Sequence, residues 1–292
     1  MADNKKNIII TGETGLLGST LKLELSERYN IIPFKRDVTD FKADEFAGYK
    51  DRVEYIIHTA AITKVKQCED DHKLCEAVNV AGTRNMVDLA ESLNARIIYI
   101  STVSVFLGDV GGYNETDKPD PRSYYDICKY RGEQAVGEYS GGMVLRLNLV
   151  GIHPNGSRGK NFLEWLYDSI KESKDMTLFY DSVINPLSNW SLAGLIRKIM
   201  EEKIDFKILH LGSRDTLSKA DIGKIMIEKI GGYKGAVKIE SLDKNSAVFR
   251  PKQMWLNVSL AEKTLNLKMP KLEEEIDKIF KMNQIYGQHK NK

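Results

Sequence analysis

The chain has 292 residues, 42% of them hydrophobic, and its 43 basic and 41 acidic side chains leave a formal charge of +2. That near balance argues against nucleic acid or an anionic membrane surface as the partner, and no apolar run is long enough to span a bilayer. Three cysteines, Cys68, Cys75 and Cys128, lack metal-ligand spacing, and their odd number argues against a secreted disulfide framework. With no apolar leader in the opening Met-Ala-Asp-Asn-Lys-Lys, a reducing cytoplasm is the expected setting.

In chain order, residues 7–10 read as a short β-branched strand that runs into Thr11-Gly12-Glu13-Thr14-Gly15-Leu16-Leu17-Gly18, with a helical stretch over 19–29. Strand, glycine turn and helix suit a pyrophosphate. The glycines turn tightly and let backbone N–H groups approach the phosphates, and the helix N-terminus faces them with its partial positive charge. The spacing is Gly-x-x-Gly-x-x-Gly rather than the standard Gly-x-Gly-x-x-Gly. Further apolar runs at 31–34, 54–58, 96–101 and 143–147 read as strands, with helical stretches near 40–47, 72–92 and 125–138 between them.

This alternation predicts an α/β fold, a Rossmann-type doubly wound parallel sheet that binds ligands at the carboxyl ends of its strands. Those ends carry the glycine turn, Lys35-Arg36-Asp37, Ala60-Ala61-Ile62-Thr63 and Ser101-Thr102-Val103-Ser104. Beyond residue 150 the pattern loosens: a polar loop over 151–159, helices over 161–173, 219–230 and 271–282, and a strand at 208–211 returning to the main sheet. The expected division is a dinucleotide-binding domain over 1–150 with a returning segment near 185–212. A smaller discontinuous C-terminal substrate lobe over 151–184 and 213–286 follows, then a polar tail at 287–292.

Tyr125 and Lys129, four apart, share one face of their helix. Free tyrosine titrates near ~10, so proton transfer near neutrality calls for a depressed phenol, which a neighbouring lysine charge would supply. Tyr124 is the rival phenol, but four residues on it meets Cys128 rather than a cation.

Taken together, Thr11-Gly12-x-x-Gly15-x-x-Gly18, His58-Thr59-Ala60-Ala61, Asn79-Val80-x-Gly82-Thr83, Ser101-Thr102 and Tyr125-x-x-x-Lys129 resemble the extended short-chain dehydrogenase/reductase family. Within it the chain most resembles the dTDP-4-dehydrorhamnose reductases. Ala61-Ile62-Thr63-Lys64-Val65, Cys68-Glu69, Val105-Phe106, Asn161-Phe162 and Arg250-Pro251 ahead of Leu256 and Leu260 echo that group. The resemblance implies reduction of the 4-keto carbon of a nucleotide-linked deoxysugar in the cytoplasm, as in dTDP-rhamnose biosynthesis, with Thr102, Tyr125 and Lys129 catalytic and no metal. It places the cofactor against Gly12, Thr14, Gly15, Leu16, Leu17, Gly18, Lys35, Arg36, Asp37, Val38, Ala60, Ala61 and Ile62, besides Tyr125 and Lys129. The substrate falls to Thr102, Val103, Asn161 and Arg250.

Lys35-Arg36, where NAD-preferring relatives often carry an acid, favours NADPH over NADH because either side chain welcomes a 2′-phosphate. A nucleotide sugar is the expected partner, and a homodimer is compatible with the resemblance. Val103 and Ser104 stand where the group usually has Asp and Tyr, and Lys66 where an acid is common. Sugar-nucleotide dehydratases need an Asp-Glu pair after the threonine, which Val103-Ser104 cannot replace. Two alternatives stay open: an NAD-dependent sugar-nucleotide epimerase using the same three residues, and a non-catalytic nucleotide-binding subunit similar to the regulatory subunit of methionine adenosyltransferase. Trp190 and Trp255 are expected to pack rather than to stack on a ligand.

Overall fold

The computed structural model describes residues 5–154, 161–242 and 251–287. Strands and helices alternate through the first half: β1 (Lys6–Thr11), α1 (Leu16–Leu25), β2 (Tyr29–Pro33), β3 (Val53–His58), α2 (Val65–Asp70), α3 (His72–Glu76), α4 (Gly82–Leu93), β4 (Arg96–Ile100), α5 (Tyr124–Glu138) and β5 (Gly142–Leu147). Shorter elements follow: β6 (Leu149–Val150), α6 (Phe162–Lys171), β7 (Met176–Phe179), β8 (Val183–Ile184), β9 (Leu187–Ser188), α7 (Asn189–Glu201), β10 (Ile208–Leu211), β11 (Leu217–Ser218), α8 (Lys219–Ile230), β12 (Val237–Glu240), β13 (Gln253–Met254), α9 (Ser259–Leu265) and α10 (Leu272–Gly287).

The main sheet has six strands in the order β10-β5-β4-β3-β1-β2, and the β1–β2, β1–β3, β3–β4 and β4–β5 pairs are all parallel. The chain steps outward from β1 to β2, then returns across β1 to β3, so the order reverses there. Doubly wound sheets bind ligands at such a reversal. The strands read as unbroken apolar runs because both faces are covered: Ile8, Ile9 and Ile10 of β1 and Ile56 and Ile57 of β3 are 0–1% exposed. On one face Ile9, Ile56, Ile97 and Val144 share a core with Met86, Leu89, Ala90 and Leu93, the i, i+3, i+4, i+7 stripe of α4.

The chain divides into two compact units, one comprising the chain up to Val105, Lys118–Arg146 and Ala193–Leu209, the other Phe106–Asp117, Leu147–Leu192 and the chain from His210. The second has its own core, built from Leu163, Leu166 and Ile170 of α6, Met226 of α8 and Ile276 and Ile279 of α10. No helix among the described residues is long and apolar enough to cross a membrane.

Several elements differ from the sequence-based expectation. The single helix expected over 72–92 is broken into α3, a π-helical turn over Ala77–Ala81, and α4. Its cause is tertiary: Asn79 lies in the turn and turns its amide to the loop after β3, accepting from Ile62 N at 2.8 Å and donating to Ile62 O at 3.0 Å. The helix expected over 40–47 is a 3-10 turn, Ala43–Tyr49, and the first helix starts earlier than expected, at Leu16 directly after Gly15. Residues 208–211 do return as β10 of the main sheet.

Candidate active site

The turn after β1 is shaped by its glycines. Gly12 has φ +66°, and a Cβ there would lie 2.8 Å from both Ala60 N and Thr59 Oγ1; at Gly18 it would lie 2.2 Å from Gly12 O. Only hydrogen at both positions lets the turn close against the end of β3 and α1 pack under it. Gly15 is the N-cap of α1, with no side-chain cap and no acid in the first turn, and the carboxylate of Glu13 in the turn before it is paired with Lys22 at 3.1 Å. Leu17 is buried and Leu16 half-buried, whereas Thr14 is exposed. The two leucines are held by packing, and their backbone N–H groups are what a phosphate could use. The cradle that side chains would fill fits a pyrophosphate.

After β2, Lys35 and Arg36 are exposed, but they differ in their partners. Arg36 grips Glu45 through Nε (2.9 Å) and Nη2 (2.6 Å), whereas no partner of Lys35 is found among the described residues. Asp37 accepts from Thr39 N and Oγ1, both at 2.9 Å, which holds its carboxyl below the usual range. Val38 is buried and fills the space a Cβ on Gly82 would need. After β3, Ala60, Ala61 and Ile62 are half-buried.

His58, at the end of β3, braces this edge. Its Nδ1 lies 2.7 Å from Thr11 Oγ1 and its Nε2 3.2 Å from Thr83 Oγ1. Complete burial, with the Lys129 charge adding to it, drops the imidazole to about 3, so it stays neutral and links the ends of two strands to α4.

Helix α5 opens with a capping box: Ser123 Oγ accepts from Asp126 N while Asp126 accepts from Ser123 N. Its first turn therefore holds Tyr125, whose buried phenol is influenced by Thr102 from the end of β4; Thr102 Oγ1 itself lies 2.9 Å from Ser104 Oγ and accepts from Ser104 N at 3.1 Å. Lys129, one turn on, is 3% exposed; its Nζ donates to Ile100 O at 2.6 Å and sits 4.0 Å over the Tyr99 ring. Contrary to the expected depression, the Tyr125 phenol is raised, chiefly by burial and next by Asp126, with Thr102 opposing. Burial lowers Lys129 from 10.5 to about 7, against the pull of Glu133. Desolvation thus sets the direction of the shift and keeps the phenol protonated near neutrality. Tyr124 is turned elsewhere, stacked on His72 with ring centroids 3.7 Å apart and hydrogen-bonded to Glu76.

The expected substrate residues are placed unevenly. Thr102 is half-buried beside Tyr125, while Val103 is a core residue at 1% exposure, so only its main chain could meet a substrate. Asn161 is spent as the N-cap of α6, accepting from Leu163 N and Glu164 N and donating to Gly151 O; it lies in the second unit. Arg250 lies outside the described residues. Trp190 is buried, and Trp255 covers Gly111 and Gly112 so closely that a Cβ on Gly111 would lie 2.0 Å from its Nε1. Cys68, Cys75 and Cys128 are free and fully buried, packed with Val80 against Tyr124 and Tyr125. Among the described residues no group of three or more His, Cys, Asp or Glu could hold a metal ion. Glu133 and Arg146 went unassigned from sequence, although a glutamate at i+4 from Lys129 and a lone arginine in an apolar strand were both visible there.

A reversing parallel sheet, a glycine cradle at its switch point and a Thr-Tyr-Lys group at the next strand end define a dinucleotide-binding α/β protein of the short-chain dehydrogenase/reductase kind. The chain belongs to the RmlD substrate binding domain family, which it matches over residues 6–285. It is 29% identical to a probable low-salt glycan biosynthesis reductase of Haloferax volcanii, over 91% of this chain and 95% of that one. It is 27% identical to a dTDP-4-dehydrorhamnose reductase of Mycobacterium tuberculosis, over 79% and 78%. A dTDP-4-dehydrorhamnose reductase from Bacillus anthracis, solved in complex with NADP, superposes with a TM-score of 0.83 at 30% identity, over 94% of this chain and 99% of that one.

Proposed function

We propose that the chain is an NAD(P)H-dependent reductase of a nucleotide-linked 4-keto-deoxysugar, of the dTDP-4-dehydrorhamnose reductase kind. The observation that carries this reading is the Tyr125 phenol, close enough to Thr102 to be influenced by it and kept protonated by burial, one helical turn from Lys129. When bound, a reduced nicotinamide dinucleotide supplies the hydride for the C4 carbonyl. Tyr125 donates its proton to the oxygen that becomes the alcohol, and a loaded phenol is what the reducing direction requires. Thr102 donates a hydrogen bond to the same oxygen, where negative charge develops. Lys129 holds the ribose hydroxyls, and in its charged form steadies the tyrosinate left behind.

The glycine turn and the N-terminus of α1 hold the pyrophosphate, Asp37 takes the adenine amine, and Lys35 with Arg36 favours a 2′-phosphate. Of the two cations Lys35 is the readier, because Arg36 must first release Glu45. Three buried thiols suit a reducing cytoplasm.

The test is oxidation of NADPH and NADH, followed by absorbance, against a panel of 4-keto sugar nucleotides with dTDP and UDP carriers. Cofactor consumption matched by one 4-hydroxy product supports the reading. Product formation with no net change in cofactor would replace it with the epimerase, and binding without turnover would replace it with the regulatory subunit.

A further inference from the structure

We propose that Glu133, gripped by Arg146, is the positioning residue that holds the Lys129-bearing face of α5 against the Thr102-bearing end of β4. The inference rests on the reading above, in which Lys129 and Thr102 serve the reaction. Tyr125, Lys129 and Glu133 follow one another at four-residue intervals and so share a face of α5. Glu133 is buried, with its carboxylate held from two strands. Oε1 accepts from Ser101 Oγ at 2.5 Å and from Arg146 Nε at 2.9 Å, and Oε2 accepts from Arg146 Nη2 at 2.6 Å.

Helix α5 thereby touches three successive residues of the strand end. Gly132 lies against Tyr99, where a Cβ would come 2.4 Å from the phenol oxygen; Lys129 reaches Ile100 O; and Glu133 takes the hydroxyl of Ser101, the residue before Thr102. A buried ion pair is a poor stabiliser compared with apolar side chains of the same volume. Its charge matters here because a second cation, Lys129, is buried one turn away. The groups that act on Lys129 are the Tyr99 ring from β4, neutral His58 from β3, Cys75 from α3 and, on its own helix, Glu133. Of these only Glu133 is an anion. It opposes the burial that drives Lys129 toward neutrality, while Arg146 from β5 holds its carboxylate from the far side.

Four variants test the proposal, read by NADPH binding through its fluorescence and by kcat with a dTDP-linked 4-keto-6-deoxy sugar, each across pH. Glu133→Gln/Arg146→Met removes both charges together, and should move the alkaline weakening of NADPH binding down by about one pH unit or more. Glu133→Asp keeps the charge and should leave that midpoint near wild type. Ser101→Ala leaves the ion pair intact and should lower kcat roughly tenfold with little change in the NADPH KM, through loss of one charge-assisted hydrogen bond. An unmoved midpoint in the double variant, or a wild-type kcat in Ser101→Ala, overturns the proposal. Should the double variant not fold, a midpoint in Glu133→Asp shifted by about one unit, or the wild-type kcat of Ser101→Ala, still overturns it. Lys129→Met separates the two levels. If that variant turns over like wild type, the functional reading itself fails; if it is inactive while the other variants behave as wild type, only the role of Glu133 fails.

Discussion

Replacing Lys129 by methionine should stabilise the chain while abolishing turnover. The ammonium is 3% exposed, and burial lowers it from 10.5 to about 7. At about 1.4 kcal/mol for each tenfold change in proton affinity, that fall amounts to a penalty of about 5 kcal/mol on the charged native form. Below about pH 7 both native and unfolded chains carry the proton, and the penalty is complete. Between about pH 7 and 10.5 the unfolded chain binds a proton that the native chain has released, so stability climbs with pH, and above 10.5 the penalty is gone. Methionine keeps the volume and removes the charge, at the loss of the bond to Ile100 O, worth about 1 kcal/mol. Denaturant unfolding without nucleotide, run at about pH 6 and about pH 10, measures the difference. The advantage of Lys129→Met should shrink by about 4 kcal/mol over that interval. Parallel pH dependences for the two proteins, or a variant less stable than wild type at the acid end, would refute the reasoning.

Gly18→Ala places a Cβ 2.2 Å from Gly12 O; a thermal melt should show a loss of about 2 kcal/mol or more, and NADPH binding should weaken with it. A wild-type melt would mean the turn is not packed as described. Ser123→Ala removes one half of the capping box that starts α5, and chemical unfolding should record a loss of about 1 kcal/mol. Arg36→Ala should raise the dissociation constant for NADPH several-fold more than that for NADH, measured by fluorescence titration; equal changes would deny Arg36 a part in phosphate recognition.

What could be read in the sequence was whatever local chemistry decides. The strands β1, β3, β4 and β5 are buried on both faces and so appear as unbroken apolar runs. Helix α8 matches its expected span because Ser218 caps it and Gly231, with φ +68°, ends it. What escaped depends on partners distant in the chain. The break at Ala77–Ala81 follows from Asn79 reaching Ile62, 17 residues away. The engagement of Arg36 follows from Glu45, and the direction of the Tyr125 shift from neighbours that bury it. Val103 and Asn161 were placed on the substrate by resemblance, yet one is core filler and the other a helix cap, roles that burial and hydrogen bonding reveal and motif order does not.

The most direct measurement is NADPH consumption with a dTDP-linked 4-keto-6-deoxy sugar by wild type and by Tyr125→Phe, which deletes one oxygen and leaves the ring in place. Wild type should oxidise the cofactor in step with alcohol formation, and the variant should bind NADPH as tightly while its turnover falls about a hundredfold or more. Turnover by the variant at the wild-type rate would show that the proton comes from another group.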